Sequence, residues 1–277
     1  MKIGTMVTVA NPAEADAAFR PVKEMGPESC QLKYKPAEFR REDAEAIRAA
    51  ADRNGIEISA YFICPPVACS MWDLRHGPLT GGMSSPLYGE KRFEYWLRGC
   101  EFVSWLGITD MIIHAGFIQN DPDDAGYHLM RTRAAILGKK MKGLGLNLLF
   151  ETGQESPVTL LRLIREAGTD NLYVNLDTGN CLMYGYSNPV DALYTLGGLV
   201  RNVHVKDGVP PTDPYKLGKE TAIGEGEVDF EKFFTRLFAL GYDRYLTIER
   251  EITGPQQREE ILKAKRYIER FLAEREK

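Results

Sequence analysis

The chain has 277 residues, 44% of them hydrophobic and 27% charged, with a formal net charge of −4. That mixture excludes a disordered chain, a collagen-like chain and a small disulfide scaffold. The acidic balance also lacks the electrostatic footprint of a nucleic-acid binder. The length suits an α/β barrel of about 250 residues, expected here as one domain over 1–277. Cys30, Cys64, Cys69, Cys100 and Cys181 form no CxxC pair, so neither a disulfide framework nor a cysteine zinc site is expected. With no signal peptide and no apolar run of membrane-spanning length, the expectation is a soluble cytoplasmic protein with no membrane partner.

In chain order, a strand over 3–9 leads to a helix over 13–25, opened by Asn11-Pro12. A strand over 30–34, a helix over 40–53 closed by Asn54-Gly55 and a strand over 56–63 follow. A loop over 64–86 is rich in Pro, Gly and Ser, and loops of that length in compact domains are commonly functional. Phe93, Trp96, Leu97, Cys100, Val103 and Leu106 then mark a long amphipathic helix. Strands over 110–114, 146–151, 172–177, 200–205 and 245–249 alternate with helices over 125–144, 157–167, 189–199, 229–240 and 256–273. A second long loop covers 206–228. Eight strands alternating with eight helices predict a parallel sheet closed as a (β/α)8 barrel, the TIM barrel. The first turn lacks the glycines of a doubly wound dinucleotide fold.

Parallel strands buried on both faces should be nearly all apolar. Four consecutive strands depart from this at their C-terminal ends, with Glu151, Asp177, His204 and Glu249. Strand side chains alternate between faces. Leu148 and Phe150, Val174 and Leu176, Val203 and Val205, and Leu246 and Ile248 therefore face the helices, and the four polar residues point inward at the barrel mouth. Buried carboxylates must be paired, protonated or metal-bound. Three carboxylates with one imidazole suit Mn²⁺, Mg²⁺ or Co²⁺, with Zn²⁺ also possible. Ion pairs with Lys206 and Arg250 are the alternative for any single acid. Two residues earlier on the same face lie Leu149, Asn175, Asn202 and Thr247. The three polar ones are expected to form a layer that orients the ligands.

The segments Phe150-Glu151-Thr152-Gly153, Asn175-Leu176-Asp177-Thr178-Gly179-Asn180, His204-Val205-Lys206-Asp207 and Ile248-Glu249-Arg250-Glu251 resemble those of the sugar isomerase/epimerase superfamily with the xylose isomerase-like barrel, which also contains endonuclease IV. Ile223-Gly224-Glu225-Gly226 and Val228-Asp229-Phe230 resemble the loop before its seventh helix. The resemblance covers nearly the whole chain. As in ketose epimerases of the superfamily, it implies one divalent metal on Glu151, Asp177, His204 and Glu249, with Glu151 and Glu249 also the acid–base pair. Many relatives carry a substrate-binding histidine where this chain has Asn180, which can hydrogen-bond a hydroxyl but cannot shuttle a proton at neutral pH.

The implied reaction is proton transfer through an enediolate on a ketose, keto-sugar or related polyol, manganese being the first choice of ion. Epimerisation and aldose–ketose isomerisation both fit. A lyase or dehydratase acting on a keto-sugar or keto-glycoside begins with the same step and is the alternative. An endonuclease IV-like repair enzyme fits less well, because only His76, His114, His128 and His204 are available as histidine ligands. A non-catalytic sugar-binding barrel leaves the four-ligand set without a purpose.

His114, Asn180, Lys206, Gln154 and Glu155 are expected to bind the sugar. The alternatives are a structural hydrogen bond for His114, a salt bridge for Lys206 and a helix-opening role for Gln154 and Glu155. Tyr61, Trp72 and His76 could line the pocket, and Cys64 and Cys69 are expected to be inert. The loop holding Gly218, Gly224 and Gly226 could close over substrate. Trp96 and Trp105 share one helix and could fill either the core or a homo-oligomer interface.

Overall fold

The computed structural model describes residues 1–66 and 71–275. Its strands are β1 (Lys2–Val9), β2 (Ser29–Tyr34), β3 (Glu57–Phe62), β4 (Asp110–Ile113), β5 (Asn147–Glu151), β6 (Leu172–Asp177), β7 (Val200–Val205), the short β8 (Asp207–Val209) and β9 (Lys219–Thr221), and β10 (Tyr245–Ile248). Eight of them close a parallel barrel in the order β1-β10-β7-β6-β5-β4-β3-β2. This is the (β/α)8 architecture the alternation predicts. The helices are α1 (Ala15–Met25), α2 (Arg41–Asn54), α3 (Gly77–Thr80), α4 (Gly89–Trp105), α5 (Ala125–Gly143), α6 (Pro157–Glu166), α7 (Thr178–Met183), α8 (Pro189–Leu196), α9 (Phe230–Ala239) and α10 (Pro255–Arg275).

Several helices start where local chemistry dictates. Ser156 Oγ accepts the Thr159 N–H ahead of Pro157, and Asn188 Oδ1 accepts the Val190 N–H ahead of Pro189. Each side chain satisfies a first-turn donor, and proline supplies the helical φ where no N–H is needed. Gly55 ends α2 at φ +69°, as expected of an Asn-Gly stop.

Three segments differ from the sequence expectation. The loop over 64–86 contains α3, and α7 begins directly after β6 because the Asp177 carboxylate caps it through the Asn180 N–H at 2.7 Å. The second long loop contains the antiparallel β8–β9 hairpin. Its glycine-rich end is pinned: the Asp207 carboxylate accepts the N–H groups of Gly208, Gly224, Gly226 and Val228. A Cβ on Gly226 would lie 2.2 Å from Asp207 Oδ1, so glycine is required there. Four charge-assisted hydrogen bonds make this an anchored loop, not the free lid that its glycines suggest.

The core lies mainly between barrel and helices. Leu148, Phe150, Val174, Leu176, Val203, Val205, Leu246 and Ile248 are all buried there. Burying each is worth about 1.5–3 kcal/mol. A smaller apolar cluster inside the barrel comprises Ala60, Phe62, Ile112 and Leu149. Tyr61 faces the helices and donates to the Tyr34 carbonyl at 2.6 Å, because alternation turns it away from inward-facing Phe62. It is therefore core and not a pocket wall. Trp96 is buried and Trp105 half-buried against the same core.

Candidate metal centre

Strand register brings the four predicted residues together. Asp177 on β6 pairs with His204 on β7, and Val205 pairs with Ile248, so Glu249 follows one step past the end of β10. A bulge between Val174 and Asn175 sets this β6–β7 alignment. One donor atom from each of Glu151, Asp177, His204 and Glu249 lies within 4.8 Å of the others, and all four side chains are buried.

His204 shows what belongs at the centre. Its Nε2 lies 2.6 Å from Gln31 Oε1, while the Gln31 amide donates to Asn175 Oδ1 at 3.1 Å. An amide oxygen only accepts, so Nε2 donates to it and Nδ1 is the ring atom left facing the carboxylates. Burial favours the neutral ring, but in the absence of a cation the carboxylates, led by Glu249 and Glu151, hold the imidazole's pKa well above the ordinary histidine range. That Nδ1 lies 3.1 Å from Glu151 Oε1, 3.2 Å from Glu249 Oε2 and 3.4 Å from Asp177 Oδ2. One nitrogen cannot donate to three carboxylates. Glu151 Oε2 and Asp177 Oδ2 are moreover buried without a hydrogen-bond partner. A divalent cation satisfies all of these groups together, so the donor set fits one.

Electrostatics among the protein groups follow from burial and from two lysines. Burial pushes Glu151 and Asp177 above the usual carboxylate range, opposed by His114 and His204 for the first and Lys206 for the second. Burial would raise Glu249 too, but Lys206, His204 and Lys33 hold it well below that range. Lys206 Nζ lies 3.3 Å from Glu249 Oε2, 3.9 Å from Asp177 Oδ2 and 3.1 Å from Glu251 Oε2. Lys33 Nζ reaches Glu249 Oε1 at 3.2 Å. Although burial favours the neutral amine, the surrounding carboxylates, led by Glu249, keep Lys33 above the lysine range.

The other predicted residues fall at graded distances. His114 Nε2 sits 3.4 Å from Glu151 Oε2, and burial lowers its pKa against the pull of Glu151. Gln154 Nε2 approaches His114 Nδ1 at 3.4 Å. Asn180 donates to Glu151 Oε1 at 3.3 Å. Burial pushes the Glu155 carboxyl up to about 8, despite the N–H groups of Gly153 and Gln154. Lys206 is engaged in the salt bridges that were the alternative to sugar binding. Asn175 reaches the centre only through Gln31. Asn202 and Thr247 bond to each other at 3.1 Å and, through Asn202, to Ser59 at 3.4 Å, while Thr247 lies opposite His204 in the β10–β7 register. His76 is turned to Asp73, with Nδ1 3.0 Å from Oδ2. Burial raises the Cys64 thiol, consistent with inertness; Cys69 lies outside the described residues.

Gln31 and Lys33 are absent from the sequence expectation. Their signal was the same as for the others: β2 alternates Gln31, Leu32, Lys33, Tyr34 where a doubly buried strand should be apolar. Their strand lies far along the chain from the four ligand strands and only barrel closure brings it across.

The profile of the family described as xylose isomerase-like TIM barrel matches residues 19–271. The chain belongs to this family. It is similar to a xylose isomerase domain protein from Planctomyces limnophilus, at 27% identity and a TM-score of 0.89, covering 98% of this chain and 96% of that one. A barrel of the same fold is 3-keto-D-glucoside 4-epimerase from E. coli, at 18% identity and a TM-score of 0.67, over 95% of this chain and 99% of that one. An inosose dehydratase from Clostridium botulinum (strain Alaska E43 / Type E3) is 27% identical over 162 residues, 51% of this chain and 53% of the relative. The chain matches only about a third to a half of the length of its curated relatives. Among the described residues no helix is long and apolar enough to cross a membrane.

Proposed function

We propose that this chain is a divalent-metal-dependent isomerase or epimerase of keto-sugars, built as one catalytic barrel domain. Glu151, Asp177, His204 and Glu249 would hold the ion, with Mn²⁺ the proposed occupant and Mg²⁺, Co²⁺ or Zn²⁺ the alternatives. The observation that carries the reading is the convergence of three buried carboxylates on His204 Nδ1, whose ring partner Nε2 is committed to Gln31.

When bound, a divalent cation polarises a sugar carbonyl and its neighbouring hydroxyl and acidifies the adjacent C–H. The protein supplies the proton carriers. Glu151 and Glu249 stand on either side of β6 and β7, so one can remove a proton from one face of a carbon while the other returns it to the opposite face. Asn180 orients Glu151, and Lys33 and Lys206 hold the two oxygens of Glu249. His114, Gln154 and Glu155 are proposed to meet sugar hydroxyls.

Elimination is the second reading, favoured by the sequence relation to inosose dehydratase. It uses the same proton abstraction followed by loss of a β-hydroxyl. Proton NMR of Mn²⁺-loaded protein with ketoses, keto-glycosides and inososes in deuterium oxide separates the readings. Deuterium next to the carbonyl with the skeleton intact supports epimerisation or isomerisation. An unsaturated product supports the dehydratase. Failure of every substrate to exchange would overturn both.

A further inference from the structure

Glu151 and Glu249 are fixed to the barrel in different ways. Glu151 is the last residue of β5, paired in register with Asn175, and the Thr152 N–H after it still reaches the Asn175 carbonyl at 3.2 Å. The sheet itself therefore sets its main chain. Glu249 lies one residue past β10, where the ladder ends. Ile248 is the last residue in register with β7, and the Glu249 N–H reaches the Val205 carbonyl at a long 3.4 Å. A side chain that meets both an ion and a substrate carbon has to be placed to within about half an ångström. A chain leaving the end of a strand does not provide that by itself.

The anchor comes from the β8–β9 hairpin. Glu220, on β9, accepts the Glu251 N–H with both carboxylate oxygens, at 3.0 and 3.1 Å, and its Oε2 lies 2.7 Å from Arg250 Nη1. Arg250 Nε donates to Glu260 of α10, and the Arg250 carbonyl accepts the Gln257 amide at 2.8 Å. The Arg250 and Glu220 side chains are only 12% and 11% exposed, so salt screens their attraction little. Glu220 is itself held in place. It pairs with Gly208, two residues past Lys206. The Gly218 N–H ahead of β9 donates to the Met183 carbonyl at 2.8 Å, and Asp207 pins the loop behind it. The Glu251 carboxylate then turns back to Lys206 Nζ at 3.1 Å, and Lys206 holds Glu249 Oε2 at 3.3 Å. Main chain and side chain of Glu249 are thus tied into one ring of charged contacts.

We propose that Glu220 is a positioning residue for Glu249. From the anchored hairpin it fixes the main chain at Arg250 and Glu251, and through them the reach of Glu249 into the metal centre and toward the substrate carbon. The pinned glycine-rich loop then has a task, which is to hold β9 still. Only the proton-carrying role of Glu249 rests on the proposed function; the hold on its main chain stands on geometry alone.

The test begins with Glu220→Ala, which removes the acceptor of the Glu251 N–H and leaves Arg250 to Glu260. Mn²⁺ affinity and turnover at saturating Mn²⁺ should each fall about 10- to 100-fold, the usual effect of losing a partner of this kind, with KM within about threefold. Glu220→Gln keeps an oxygen for the N–H and should recover most of the loss. Lys219→Gln, at the exposed neighbouring position of β9, should match the wild type. Should thermal unfolding show that Glu220→Ala does not fold, Glu220→Asp, too short to reach the N–H, carries the same expectations. C–H exchange in deuterium oxide, followed from substrate and from product, separates positioning from general loosening. Glu220→Ala should slow the side that Glu249→Gln slows and leave the side served by Glu151 within about threefold. Crystal structures of the Mn²⁺-loaded wild type and variant give a readout free of turnover: Glu249 should be displaced, with Glu151, Asp177 and His204 in place. Equal slowing from both sides, or an unmoved Glu249, would overturn the assignment. A displaced Glu249 in a protein whose wild type exchanges no substrate would uphold Glu220 as the anchor and refute the proposed reaction. Wild-type exchange that Glu220→Ala leaves unchanged would do the reverse.

Discussion

Across the barrel interior, β3, β4 and β5 send in Ala60, Phe62, Ile112 and Leu149, an apolar patch with no polar atom to satisfy. Across from them, β6, β7, β10 and β2 send in Asn175, Asp177, Asn202, His204, Thr247, Gln31 and Lys33, with Glu249 just beyond β10 and Glu151 joining this polar half from the C-terminal end of β5. The first half holds by packing and is indifferent to which atoms pack. The second must have every polar atom answered, and a buried network left half answered is worse than an apolar one. Stability comes mostly from the shell between strands and helices, which leaves the inner face of four strands free for chemistry. The two halves should therefore fail differently when mutated.

The largest effect belongs to the polar half. Glu151→Gln and Glu249→Gln each retain a carbonyl oxygen for the ion but lose the proton carrier. Turnover on the substrate found by deuterium exchange should drop by about 10²–10⁴, while elemental analysis still finds metal. One of the two variants should exchange the substrate C–H with solvent without completing the reaction, which identifies the face of proton removal. Near-normal turnover in either variant would reject the two-base arrangement.

In the apolar half, Ile112→Ala should cost roughly 2–5 kcal/mol of stability by opening a cavity against Leu149 and Phe62. Chemical denaturation measures this. Metal affinity should stay within about threefold, since no ligand residue leans on Ile112 through a hydrogen bond. A fall in metal affinity comparable to that of the polar variants would erase the distinction between the halves.

A smaller, sharper effect is expected at Gln31. Gln31→Leu removes the acceptor that fixes the proton on His204 Nε2, so the ring can turn or switch tautomer. Partners of this kind typically contribute 10- to 100-fold in metal affinity. Titration of Mn²⁺ into metal-free protein tests it, and unchanged affinity would show that the carboxylates alone set the ring.

The legible part of this architecture is the part that repeats. Eight apolar runs alternating with amphipathic stretches specify the barrel, and a polar residue at the end of each of four neighbouring strands specifies the cluster, because alternation fixes which face each residue takes. The illegible part depends on closure and on single hydrogen bonds. Gln31 and Lys33 carry the same alternation signal, but only the β1–β10 seam of the closed barrel brings them to residues 144 to 216 positions later. Asp207 pins a glycine-rich loop that in sequence reads as mobile, and no local pattern reveals its four N–H partners. Lys206 has chemistry suited either to a substrate oxygen or to a carboxylate, and only its distances to Glu249 and Glu251 decide that it is engaged.

Within the polar half itself, two networks can be told apart. Asn175 bonds Gln31, which bonds His204, so this chain ends on a ligand residue. Thr247 donates to Asn202 Oδ1 at 3.1 Å, the Asn202 amide donates to Ser59, and Ser59 donates to the Cys30 carbonyl at 3.0 Å, so the second chain ends on backbone. Thr247→Val keeps the shape of the side chain and deletes one donor, leaving Asn202 Oδ1 short of a partner in a buried layer. The expected loss is about 1 kcal/mol of stability, the usual net worth of such a bond, rising toward 3 if the oxygen finds no substitute. Asn202→Leu combined with Thr247→Val removes both partners and should recover much of that loss, because an apolar pair of similar volume leaves nothing unanswered. Mn²⁺ affinity should stay within about twofold in all of these variants, whereas Asn175→Ala should weaken it through Gln31. A tenfold loss of metal affinity in Thr247→Val would mean that the floor of the barrel positions His204 after all, through its β7–β10 pairing, and that the two networks act as one.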